Sequence, residues 1–452
     1  MGLGPLWLGN RRRLVVYAGI FILIIGTLHV IRGTHVVTDD ILATPYLVGG
    51  EVHQEDPCAS LGGLEDIFVI VRTGSNEVRQ KLPPLLNTTL PCFRQYGIWS
   101  DLEEEFAGHH IANALDEIDS SLLEQHSDFE YYRHLQEQGK NTLSSEDAAN
   151  WADAPNTGFG RDTPAWKLDK WKFLPVAKKA YQQNSTSKWY VFIECDTYVL
   201  WSSVLAWLSG IDASRPYYIG RQMNIGDAVF AYGGGGIFIS NPAMEKLVER
   251  YTAESATYNE LTINQWAGDF ILSRAMLDVG IEVTPAWPTL EGERPAALDM
   301  NSRSTQGHNL GCYNAATYHH MTPDDIYAYY DFDIRWNLAK HGLPRHGDIF
   351  RQMVWPQMQD WMPNWDNLSP DVQSENATYA ECKEICENQA DCLQFSLTAR
   401  TCKTSRGAKL GKQQLPADQS KERIDSGWVL NRVEAMMKDV EASCNKEGWI
   451  MP

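Results

Sequence analysis

Trp189-Tyr-Val-Phe-Ile-Glu194-Cys-Asp196-Thr-Tyr-Val-Leu200 sets an aromatic and β-branched run against two acids, after which apolar residues resume. The run reads as a buried strand. A carboxylate at the end of such a strand is costly to bury unless a cation or hydrogen bonds compensate it. The compensation favoured here is a bound metal ion, with coordination left open for a phosphate-bearing ligand.

The same pattern recurs upstream. Leu64-Glu-Asp-Ile-Phe-Val-Ile-Val71 reads as a buried parallel strand ending at Arg72-Thr73-Gly74. A helix over Asn76–Leu86 should follow, broken by Pro83-Pro84. Tyr96 to Asp101 reads as a second short strand. Glu103 to Asn150 is acidic and polar, and is expected to be a variable surface loop in which His109-His110 form no metal site. Lys167 to Gln183 has the pattern of an amphipathic helix kinked at Pro175.

Downstream, a helix over Ser202–Leu208 leads to a strand near Tyr217-Tyr-Ile-Gly220. Four glycines, Gly233–Gly236, then precede the strand Ile237–Ser240 and a helix. They fit either a tight turn or a close approach of ligand to backbone. As a phosphate loop the signal is weak, because no Lys-Ser/Thr follows. Asp269 opens a helix through Asp278, where capping and dipole effects alone would favour it. Ala316 to Met321 reads as a short strand in which only one of His319 and His320 can face a given site. Strands alternating with helices predict an α/β core with a mostly parallel sheet. Thr73, Asp101, Glu194 and Asp196 follow strand ends, where such sheets bind ligands.

The chain of 452 residues has room for two or three domains. Its net charge of −19 argues against nucleic acid as a partner. Arg11-Arg12-Arg13 precede the apolar run Leu14–Ile31, which predicts a single-pass anchor with a cytosolic N-terminus and a luminal remainder. The run is longer than the h-region of a cleaved signal peptide, about 7–15 residues. Four sequons, at Asn87, Asn184, Asn367 and Asn376, agree with a secretory route. Nine cysteines leave at least one unpaired, with Cys195 the best candidate. The cluster from Cys382 to Cys402 contains no histidine and reads as disulfides rather than a zinc site.

The blocks Val71-Arg-Thr-Gly74, Ile98-Trp-Ser-Asp101, Glu194-Cys-Asp-Thr-Tyr-Val199, Gly233-Gly-Gly-Gly-Ile-Phe-Ile-Ser240, Gly268-Asp269 and Thr317-Tyr-His319 follow one another in a familiar order. In this the chain resembles the family 31 glycosyltransferases, the fringe and core 1 β-1,3-galactosyltransferase group, and in detail its fungal members. The resemblance implies a GT-A fold and an inverting transfer of a hexose, galactose foremost, from a UDP-sugar to a glycan or glycoprotein acceptor. It implies Mn²⁺ as cofactor, held by Asp196 and His319, with His320 facing away. Asp269 matches the general base. Thr73, Asp101, Lys170, Glu194, Gly234 and Gly235 match donor-side positions. Two departures stand out: Glu194 replaces the usual Asp, and Gly268 occupies the place of an acid that commonly precedes the base.

Tyr379 through Cys402 is similar to a PAN/apple module, which implies Cys382–Cys402 and Cys386–Cys392 pairing and a protein or carbohydrate ligand. The implied organisation is a cytosolic tail (1–13), anchor (14–31), stem (32–60), GT-A domain (61–335), linker (336–365), apple-like domain (366–433) and tail (434–452), in the Golgi membrane. The competing expectation is an inactive, transferase-like luminal chaperone, or a binding protein acting through the apple-like module.

Overall fold

The structure is a computed structural model. It describes residues 47–48, 51–52, 58, 61–139, 163–226, 228–304, 307, 309–414, 422–444 and 448–452. The expected anchor over 14–31 lies outside the described residues; among those described, no helix is long and apolar enough to cross a membrane. The chain forms two units, 1–56 and 57–452. In the first, Leu47–Val48 pairs with Glu51–Val52.

The second unit is built on an eight-stranded sheet. Its strands are β1 (Ile67–Arg72), β2 (Tyr96–Ser100), β3 (Glu104–Phe106), β4 (His109–Asn113), β5 (Trp189–Glu194), β6 (Tyr218–Gly220), β7 (Ile237–Ser240) and β8 (Val283–Pro285). They lie in the order β8-β6-β7-β5-β1-β2-β4-β3. Strands β5, β1, β2 and β4 run parallel. β7 runs antiparallel to both β5 and β6. The sheet is therefore mostly parallel, as expected, but mixed: six of its eight strands run one way, and β7 and the edge strand β3 run against them. After β6 the chain forms the hairpin Gln222–Ile225 with Ala228–Ala231 and returns through the glycine segment into β7 without a crossover α-helix among the described residues, which leaves β6 and β7 as antiparallel neighbours.

Alternation along β1 and β5 explains the core. Val69, Val71, Val191 and Ile193 enter one apolar layer, and Phe68, Ile70, Tyr190 and Phe192 the other. Both faces are covered, so these strands read as continuous apolar runs.

Three local expectations are corrected. The helix α1 (Val78–Asn87) continues through Pro83 and Pro84. The carbonyls they leave unbonded belong to the exposed Arg79 and Gln80, where water can replace the lost donors. The segment expected as a loop after Glu103 instead carries β3, β4 and short helices up to Gln138; residues 140–150 lie outside the described residues. There His109 bonds Tyr96 Oη at 2.7 Å. Finally, the helix expected over 167–183 is two, Pro164–Asp169 and α2 (Phe173–Gln183), interrupted at 170–172. Pro175 lies in the first turn of α2, where a missing N–H costs little.

The C-terminal region forms a four-stranded sheet in the order β9-β11-β10-β12: β9 (Asp371–Ser374), β10 (Gln394–Thr398), β11 (Thr401–Ser405) and β12 (Ile424–Trp428). The helix Tyr379–Asn388 is stapled to it by Cys382–Cys402, and Cys386–Cys392 closes the next turn, the pairing that was implied. Cys58–Cys92 and Cys312–Cys444 complete four disulfides, and Cys195 is free and buried. Trp428, Val433, Met437 and Val440 join the same apolar layer as Val69 and Val191. One of the four sequons is not a surface site. Asn367 is fully buried, and its amide donates to the Phe395 carbonyl at 3.0 Å.

Candidate active site

Parallel pairing of β1 with β5 sets Arg72 in register with Glu194. Both strands end there, so a guanidinium and a carboxylate emerge side by side at the carboxyl edge of the sheet. Arg72 ion-pairs with Glu194 and, at 2.5 Å, with Asp169. Its guanidinium lies 3.6 Å from the centre of the Phe173 ring.

Asp196 lies two residues beyond Glu194. The next residues, Tyr198–Val199, pair antiparallel with Thr317–Tyr318. The Met321 amide also donates to the Asp196 carbonyl at 3.0 Å. These bonds bring a distant segment alongside the acids. His319 Nε2 lies 3.2 Å from Glu194 Oε2 and 3.2 Å from Asp196 Oδ1. His319 is fully buried, whereas the Glu194 side chain is 15% exposed. Tyr232 Oη stands 3.2 Å from His319 Nδ1 and orients the ring. Lys81 of α1 reaches Asp196 Oδ2 at 3.1 Å.

Burial pushes the two carboxyls up, but neighbouring cations outweigh it: Arg72 and His319 at Glu194, His319 and Lys81 at Asp196. Both are held below the usual carboxylate range. Burial lowers His319, but Asp196 and Glu194 prevail and raise it to about 10. Glu194, Asp196 and His319 can each offer one ligand atom within 4.8 Å of the others. Two carboxylate oxygens and an imidazole nitrogen fit a divalent cation such as Mn²⁺.

Gly233, Gly234 and Gly235 form the turn facing this group. Thr197 Oγ1 donates to the Gly234 carbonyl at 2.9 Å and Thr317 Oγ1 to the Gly235 carbonyl at 2.7 Å. The glycine turn is thus tied to both segments that supply the acids and the histidine. On its other side, the Gly233 amide donates to Asp269 Oδ2 at 3.1 Å. Asp269 is in the first turn of the helix Gly268–Asp278 and is 8% exposed. Burial pushes its carboxyl up to about 6, against the Gly233 amide and the Arg72 charge.

The absence of an acid at 268 has a steric cause. A Cβ there would overlap the Phe173 ring and come within 2.7 Å of Lys170 Cα. This helix therefore presents one acid, Asp269, next to the glycine turn.

Thr73 and Asp101 lie at the ends of β1 and β2, both buried. Asp101 accepts from the Ser75 amide at 2.8 Å and from Lys172 Nζ at 3.2 Å. Burial of its carboxyl is outweighed by Lys172 and Ser75, so it stays below the usual range. Lys170 turns instead to Asp128 at 2.8 Å and to the Gln265 carbonyl at 2.9 Å. His320 faces away from the acids: its backbone is left-handed, with φ 57°, and Nδ1 lies 3.3 Å from Glu293 Oε2.

Arg72, Lys81, Lys172 and Tyr232 were not singled out in the sequence. Arg72 had a usable signal, a lone cation ending an apolar run. Lys81 had none, because α1 docks on Asp196 only through tertiary packing.

A Fringe-like family model matches residues 63–285. The match begins just before β1 and ends with β8, so it spans the whole central sheet, with Glu194, Asp196 and Asp269 inside and His319 beyond it. It marks a glycosyltransferase-type domain. No curated protein matches the chain.

Proposed function

We propose that the second unit is an inverting glycosyltransferase that moves a hexose, galactose foremost, from a UDP-sugar to a glycan acceptor in β-1,3 linkage. The observation that carries this reading is the meeting of Glu194, Asp196 and His319 next to a buried Asp269, with all but His319 inside the Fringe-like match. Asp196 and His319 would hold Mn²⁺, with Glu194 beside them. When bound, that ion offsets charge developing on the leaving diphosphate.

Asp269 would take the proton from the acceptor hydroxyl as its oxygen attacks the anomeric carbon from the face opposite UDP. A carboxyl raised to about 6 is ionised at neutral pH yet more basic than an ordinary aspartate. The Gly233 amide fixes the carboxylate and leaves Oδ1 for the hydroxyl, apart from its bond with the Phe270 amide. Arg72 keeps Glu194 ionised and in place. Thr73, Asp101, Gly234 and Gly235 would bound the donor. A type II protein of the Golgi membrane with its catalytic unit in the lumen is the setting this reading gives the chain.

The test is UDP release from UDP-galactose, UDP-GlcNAc and UDP-glucose, each with Mn²⁺ or EDTA. Turnover that needs Mn²⁺ is expected with at least one donor. No turnover and no Mn²⁺-dependent UDP binding would overturn the reading.

A further inference from the structure

A cleft opens next to the histidine pair. The His319 and His320 rings are 4.0 Å apart between centres, and His320 lines a cavity of about 700 Å³, within the range of ligand sites. One wall comes from the segment between β8 and the C-terminal region, with Glu293 and His320. The other comes from the C-terminal region, with Trp365, Lys412 and Gln413. Two hydrogen bonds join the walls. The Gly411 amide donates to the Ala296 carbonyl at 2.7 Å, and Arg294 Nη2 donates to the Gly411 carbonyl at 2.9 Å. Trp365 and Gln413 are direct partners in a two-stranded pairing. The Trp365 indole N–H is already engaged by the Leu410 carbonyl at 2.5 Å, which fixes the ring.

We infer that this cleft binds the saccharide of the acceptor, so that the C-terminal region selects the substrate of the catalytic site. This rests on the transferase reading above and extends it. An indole ring offers an apolar face to sugar C–H groups, while carboxylate, ammonium and amide groups pair with hydroxyls. The expected donor positions, Thr73 and Asp101, follow β1 and β2. The cleft is built from segments beyond β8 and from the C-terminal region, and through His320 it borders the expected cation site at His319.

Saturation-transfer NMR on the full-length chain in detergent tests this, with methyl β-galactoside, methyl β-lactoside, N-acetyllactosamine and α-mannobiose as probes. At least one probe should bind. Its affinity should fall at least tenfold in Trp365→Phe and in the double variant Lys412→Ala, Gln413→Ala, whose residues are exposed, with a thermal melt to check that each variant is folded. Mn²⁺-dependent UDP affinity should not change in either. No bound probe, or a bound probe with unchanged affinity in both variants, overturns the inference. A probe lost in both variants from a chain that binds no UDP would keep the saccharide cleft and refute the transferase reading instead.

Discussion

The imidazole of His319 rests on the backbone of Gly234 so closely that a Cβ at that position would overlap the ring. The glycine run is therefore more than a turn: its second member makes room for the histidine that meets Glu194 and Asp196.

Gly234→Ala should push His319 away from the acids while leaving the sheet in place. Mn²⁺-dependent UDP affinity is expected to fall at least tenfold, or about 1.4 kcal/mol. Titration calorimetry checks this, with a thermal melt to confirm folding. Unchanged affinity in a folded variant would remove His319 from the cation site.

Asp269 supplies a pH signature. As a base it works ionised, so turnover should decline as pH falls through about 6. Stability runs the other way. An acid whose folded value is raised contributes stability below its unfolded value, near 3.9, and loses it as pH rises through the folded one. The elevation to about 6 corresponds to roughly 3 kcal/mol given up on ionisation. Asp269→Asn should therefore melt no lower than the parent at pH 7.5, while transfer stops. A large fall in melting temperature would contradict the buried-base assignment.

Cys195 is the free thiol of the described chain, and burial pushes it up to about 12. Iodoacetamide should leave it untouched in the native protein and label one cysteine after unfolding without reductant. Rapid native labelling, read by intact mass, would show that the strand end is open to solvent.

Glycopeptide mapping should find Asn376, which is exposed, occupied, and Asn367 bare. A glycan on Asn367 would require the hydrogen bonds to Phe395 and Gly427 to be broken.

Much of this site was legible in the chain because the code there is local. Apolar runs that stop at Arg72, Ser100 and Glu194 announce buried strands and the edge where their functional groups gather. The two cysteines one helical turn apart, Cys382 and Cys386, mark a stapled helix. What could not be read depends on tertiary pairing. Strand direction at β7 is set by its neighbours, not by its own residues. Lys81 meets Asp196 because α1 packs there, and Lys172, not Lys170, reaches Asp101 because the helix is interrupted just before Phe173. The sequon at Asn367 has the right local pattern, but the fold buries it.

The central claim divides labour between two acids: Asp196 holds the donor end and Asp269 moves the proton. UDP titration with Mn²⁺ into Asp196→Asn and Asp269→Asn tests it most directly. The account predicts that Asp196→Asn loses Mn²⁺-dependent binding while Asp269→Asn binds UDP as the parent does, without transferring sugar. Equal loss of binding in both variants would contradict it.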